Sequence, residues 1–140
     1  MALVMPLLLF VIFAIVDFGR AYDTKLQLSQ AAREGARLVS MQSTSDPTTR
    51  IHQAAPSLCP IPETTPATCT VTTKYLVAAT GLTWAGDCTT VGAAGAVNTQ
   101  VTVTTKFTWI TGISAMAKFF GPATFPTPTQ QTAIGVMQCG

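Results

Sequence analysis

An α+β chain is expected, with a long hydrophobic N-terminal α-helix packed against a small antiparallel β-sheet head. Three features carry that expectation. Every residue from Met1 to Val16 is apolar or proline. The proline-free stretch that follows keeps apolar and small residues at helical spacing to about Ser43. Beyond it the composition turns to Thr, Pro and Gly, with strand-like alternation and all four cysteines. Residues 1–43 are therefore read as helix, with 1–16 a membrane or filament-core part and 17–43 an amphipathic part. Residues 44–140 are read as a disulfide-bonded, β-rich head.

As a helix, the first sixteen residues rise about 24 Å, short of a hydrocarbon core of about 30 Å. No basic residue precedes the run and no small-x-small cleavage site follows it, so it is expected to stay on the protein and not be removed as a secretory signal. Pro6 either sits in a first turn or kinks the helix. A helix reaching Ser43 is about 64 Å long, more than so small a head can cover. Its first part must find partners elsewhere, and Leu3, Val4, Leu7, Leu8, Phe10, Val11, Phe13 and Ala14 are the candidate filament-core packing residues. Arg20, Lys25, Arg33 and Arg37 follow the run, and the positive-inside tendency would keep that side in the cytoplasm. The cysteines argue for an oxidising compartment and are the stronger constraint.

Along the second part, one stripe runs through Ala21, Leu28, Ala31, Gly35 and Leu38, widened by Phe18, Tyr22, Ala32, Ala36 and Val39. Small side chains let a second backbone approach closely, so Leu28, Ala31, Ala32, Gly35, Ala36 and Val39 are the candidate helix–sheet packing residues. Asp17, Arg20 and Asp23 can pair along one helix face, either as a solvated collar or as subunit-to-subunit salt bridges. Glu34 most simply pairs with Arg37.

Ser43 to Pro66, with Asp46-Pro47 and Cys59-Pro60-Ile61-Pro62, reads as a connector resistant to further helix. The clearest strand alternates Val97, Thr99, Val101, Val103, Thr105, Phe107 and Trp109 with polar residues. A shorter strand spans Cys69 to about Val77, and a third lies near Gln131 to Gln138. The three are expected to pair as consecutive antiparallel neighbours on the second half of the helix. Ala78 to Ala96 reads as a displayed loop, and Ile113 to Phe120 as a helical turn before Gly121-Pro122. In that order the end of the third strand lies beside the start of the second, near Cys88. This favours Cys88 with Cys139 and Cys59 with Cys69, out of three connectivities that four cysteines allow.

Charged residues make up 10% of the chain and the net charge is +2, so nucleic acid is not an expected partner. There is no CxxC pair, and no metal or cofactor is expected. His52, the single histidine, reads as a surface residue of the connector. Asp17, Asp23, Glu34, Asp46, Glu63 and Asp87 show no converging carboxylate spacing. Asp17-Phe18-Gly19 lacks the lysine and catalytic loop of a kinase. No catalytic residue is found, and the chain is not expected to be an enzyme. Phe107 and Trp109 read as core; Trp84, in the loop, is the aromatic expected to contact a partner.

The runs Ala2-Leu3-Val4-Met5-Pro6-Leu7-Leu8-Leu9, Asp17-Phe18-Gly19-Arg20-Ala21 and Gln30-Ala31-Ala32-Arg33-Glu34-Gly35-Ala36-Arg37 resemble the N-terminal signature of the TadE-like pilins of Tad (Flp-type) pili. The resemblance covers about the first forty residues; beyond them only the general plan is similar. It implies a type IV-pilin-like subunit cleaved by a prepilin peptidase and extruded from the cytoplasmic membrane by an assembly platform. Its partners would be copies of itself or related pilins, in a helical filament outside the cell. In that family a Glu-Phe pair stands just before the Ala-Leu-Val-x-Pro run, and here Met1 occupies the phenylalanine's place. The alternative reading is a bitopic, membrane-anchored surface protein whose head binds a partner without polymerising.

Overall fold

The computed structural model describes residues 4–42, 46–60, 69–89, 96–108 and 129–139. Helix α1 spans Val4–Ser40, 37 residues or about 55 Å, and α2 spans Pro47–Ala54. Strands β1 (Cys69–Val77), β2 (Thr83–Trp84), β3 (Val97–Phe107) and β4 (Thr129–Gln138) follow in the chain. They form one antiparallel sheet in the order β2-β1-β3-β4. A long helix against a small antiparallel sheet makes the chain α+β.

The period-two pattern of β3 explains its central place. Val97, Thr99, Val101, Val103, Thr105 and Phe107 are buried, while the intervening residues through Thr104 are half-buried and Lys106 is exposed. The inward face meets Leu28, Ala31, Ala32 and Ala36 of α1, Ile51 of α2 and Ala133 of β4 in one core, with Cys59 and Cys69 at its margin. A smaller cluster joins Val97 to Cys88 and Cys139, with Tyr75 and Trp84 packed against it.

Three readings of the sequence are corrected. The sheet has four strands, because β2 arises inside the stretch read as a loop and pairs Trp84 with Tyr75 and Thr83 with Leu76. Its turn closes through Gly81 N–H donating to the Val77 carbonyl at 2.7 Å, with Gly81 at φ 67°, where a side chain would be strained. The connector contains a helix. Asp46 caps α2 by accepting from the Thr48 N–H at 2.9 Å, and Pro47 stands in the first turn, where a missing N–H costs no intrahelical bond. The motif read as a helix breaker is a helix start. Finally, α1 ends at Ser40, three residues before Ser43. Gln42 turns the chain away at φ 52°, and its Nε2 donates to the Cys88 carbonyl at 2.9 Å, tying the end of the helix to the head. Trp109, the turn read at Ile113 to Phe120 and Gly121-Pro122 lie outside the described residues.

Two glycines set the depth of packing. A Cβ on Gly135 of β4 would collide with the backbone carbonyl of Ala32, and a Cβ on Gly35 would stand 2.8 Å from Ile51 Cδ1 and 3.2 Å from Val101 Cγ1. Helix and strand backbones thus meet with no side chain between them at the Ala32–Gly135 contact. Gly135→Ala is expected to force α1 off the sheet and destabilise the protein by about 3 kcal/mol or more, read from denaturant unfolding. Gly19→Ala, with open space around it, is expected to stabilise by roughly 0.5–1 kcal/mol in the same measurement.

Thr99 is fully buried, and its Oγ1 has no hydrogen-bond partner among the described residues. Burying an unsatisfied hydroxyl costs about 1–3 kcal/mol. Thr99→Val, which keeps the shape and removes the hydroxyl, is therefore expected to leave stability unchanged or raise it, by the same unfolding assay.

Candidate functional site

The candidate assembly surface begins on the first half of α1. Val4, Leu7, Leu8, Phe10, Val11 and Phe13 are exposed and Ala14 is half-buried; Leu3 lies outside the described residues. The head packs against the second half of the helix, so this stretch keeps its apolar side chains uncovered on every side.

Beyond Val16 the helix becomes two-faced. Asp17, Thr24, Leu28, Ala31 and Gly35 share one buried face, in register with the sheet. Asp17 is fully buried, which corrects the solvated-collar reading for that residue; Arg20 and Asp23 are exposed. Arg20 places its guanidinium 5.9 Å from the ring centroid of Phe107, a contact worth about 0.5–1 kcal/mol at an exposed site. Gln131 Nε2 donates to the Ala21 carbonyl at 3.4 Å, so β4 reaches down the helix to this level.

The stripe inferred from the sequence is too wide. Phe18 and Tyr22 are 65% and 66% exposed, and Leu26 is 47% exposed. The apolar surface of the first half thus continues past Asp17 for about two further turns, from Phe18 to Leu26, before Arg33 and Arg37 make the outer face basic. Leu28, Ala31, Ala32, Gly35 and Ala36 are buried and Val39 is half-buried. Their partners Gly135 and Ile51 escaped sequence reasoning, although a lone glycine inside a strand pattern is a known sign of close backbone approach.

On the head, Cys59 is joined to Cys69 and Cys88 to Cys139. The second bond anchors the end of β4 beside the start of β3, where Cys139 N–H also donates to the Val97 carbonyl at 2.8 Å. His52 is buried, not on the surface. Its Nδ1–H donates to the Cys59 carbonyl at 2.5 Å, joining α2 to the first disulfide. Trp84 is half-buried against the second disulfide. Among the described residues, no group of three or more His, Cys, Asp or Glu side chains could hold a metal ion. The same residues include no helix long and apolar enough to cross a membrane.

The TadE-like protein family matches residues 1–37. The match takes in the uncovered apolar half of α1 and most of the face that meets the sheet, and it stops before the head. Comparison with curated proteins and with solved structures gives no match.

The packing of α2 on α1 has an acid-sensitive end. The hydroxyl and N–H of Thr48 both hydrogen-bond the Asp46 carboxylate and hold its pKa below the ordinary value of 3.8. A folded-state pKa below the unfolded one means that the cap's contribution is complete above the unfolded value and is lost as the pH falls through the folded value. Asp46→Asn caps without titrating. It is expected to remove part of the acid-side loss of stability in thermal unfolding followed from about pH 5 to about pH 2.

Proposed function

We propose that the chain is a structural, non-enzymatic subunit of an extracellular Tad-type, type IV-like pilus or filament, serving as a major or minor pilin. One observation carries the reading: exposed apolar side chains of α1 run from Val4 to Leu26, within the segment that matches the TadE-like family. Such a surface needs another apolar environment along much of the helix. The cytoplasmic membrane supplies it before assembly, and copies of the chain or related pilins supply it afterwards.

Assembly then exchanges lipid around α1 for the same helix of neighbouring subunits, through repeated head-to-tail contacts that leave the polymer open. Lipid and protein are similarly apolar, so the gain comes from packing and not from leaving water. The exposed Phe18, Tyr22 and Leu26 let the contact continue above the level of Asp17. The heads, braced by their disulfides, form the outer wall, and an assembly platform in the cytoplasmic membrane extrudes the subunits.

Leu8→Glu and Phe13→Glu place a charge in the proposed core while leaving the head untouched. Each is expected to abolish incorporation into sheared surface filaments seen by negative-stain microscopy, with both disulfides intact by mass spectrometry. Normal filaments from either variant would overturn the proposal.

A further inference from the structure

We infer that the two open margins of the sheet pair between copies of this chain, β4 of one subunit against β1 of the next, so that neighbouring heads share one continuous sheet. The inference deepens the filament reading and rests on it for its head-to-tail geometry. β4 is an outer strand of ten residues, with no neighbour beyond it among the described residues. Thr129–Gln138 contains no charge and no proline, the two devices by which outer strands ordinarily resist pairing. Its outward residues Ile134 and Val136 are 55% and 53% exposed. With Arg33 of α1 they line a cleft of about 440 Å³ beside the strand.

The opposite margin is also incomplete. β2 pairs only with Tyr75 and Leu76, leaving the outer side of Cys69–Lys74 without a strand among the described residues; Thr70, Thr72 and Lys74 are exposed on the same sheet face as Ile134 and Val136. β1 and β4 are both antiparallel to β3, so they run parallel to each other. Displacing one copy along the sheet sets β1 of the second parallel to β4 of the first, a pairing that proteins use. The single charge in that stretch, Lys74, meets no like charge, since β4 carries none. A β4-to-β4 contact would close one margin and leave the other open; head-to-tail pairing closes both with one kind of contact, and only that kind propagates.

The test places a benzophenone side chain at Ile134 or Val136 of the full chain, mixes light and heavy isotope-labelled copies, and maps crosslinks in filaments and in detergent. The expected result is isotopically mixed crosslinks from either position to residues 69–74. Crosslinks to residues 109–128 of the same copy, β4-to-β4 crosslinks, or no crosslink between copies would each overturn the inference. A second variant, Ile134→Lys with Val136→Lys, is expected to lose filaments while keeping both disulfides and the circular dichroism of the head. Normal filaments from it overturn the strand pairing and leave the filament reading standing. The mixed crosslink in detergent from a chain that never polymerises does the reverse.

Discussion

The whole arrangement depends on a backbone-to-backbone contact between Ala32 of α1 and Gly135 of β4. It brings a helix as close to a strand as two main chains can come, and that closeness decides which side chains are covered. Leu28, Ala31, Gly35 and Ala36 vanish into the seam, while Phe18, Tyr22 and Leu26 stay outside it. A bulkier seam would lift the helix and let side chains flanking the buried face turn inward. The small residues thus do two things at once: they join rod to head, and they keep the rest of the rod available to others.

α2 acts as a wedge on this joint. Asp46 and Pro47 start it, Ile51 fills the space above Gly35, and His52 ties it to the carbonyl of Cys59. The seam is therefore held from two sides, by the sheet and by a short helix that is itself linked to a disulfide. On the far side, Gln42 connects the end of α1 to Cys88. The two disulfides lie near the two places where the helix is fastened, so covalent and non-covalent ties reinforce the same region of the head.

Much of this plan is legible in the sequence because it follows from period. The alternation of β3 fixes which residues face the helix, and the small residues at helical spacing mark the face that receives them. What escaped has short-range or three-dimensional causes. Asp46-Pro47 is ambiguous in sequence, since the same pair that cannot continue a helix is well suited to begin one. A two-residue strand such as β2 has too few positions to show a period. His52 is buried by a neighbour seven residues away, which no local pattern records.

Both disulfides lie within residues 59–139, and neither includes a residue of α1. Tension applied along the rod therefore reaches the head across a seam of van der Waals contacts and a few hydrogen bonds, backed by the polypeptide that leads through α2. The cross-linked strands are the tougher body and the joint is the compliant one. Under traction that seam yields before the bridged strands part.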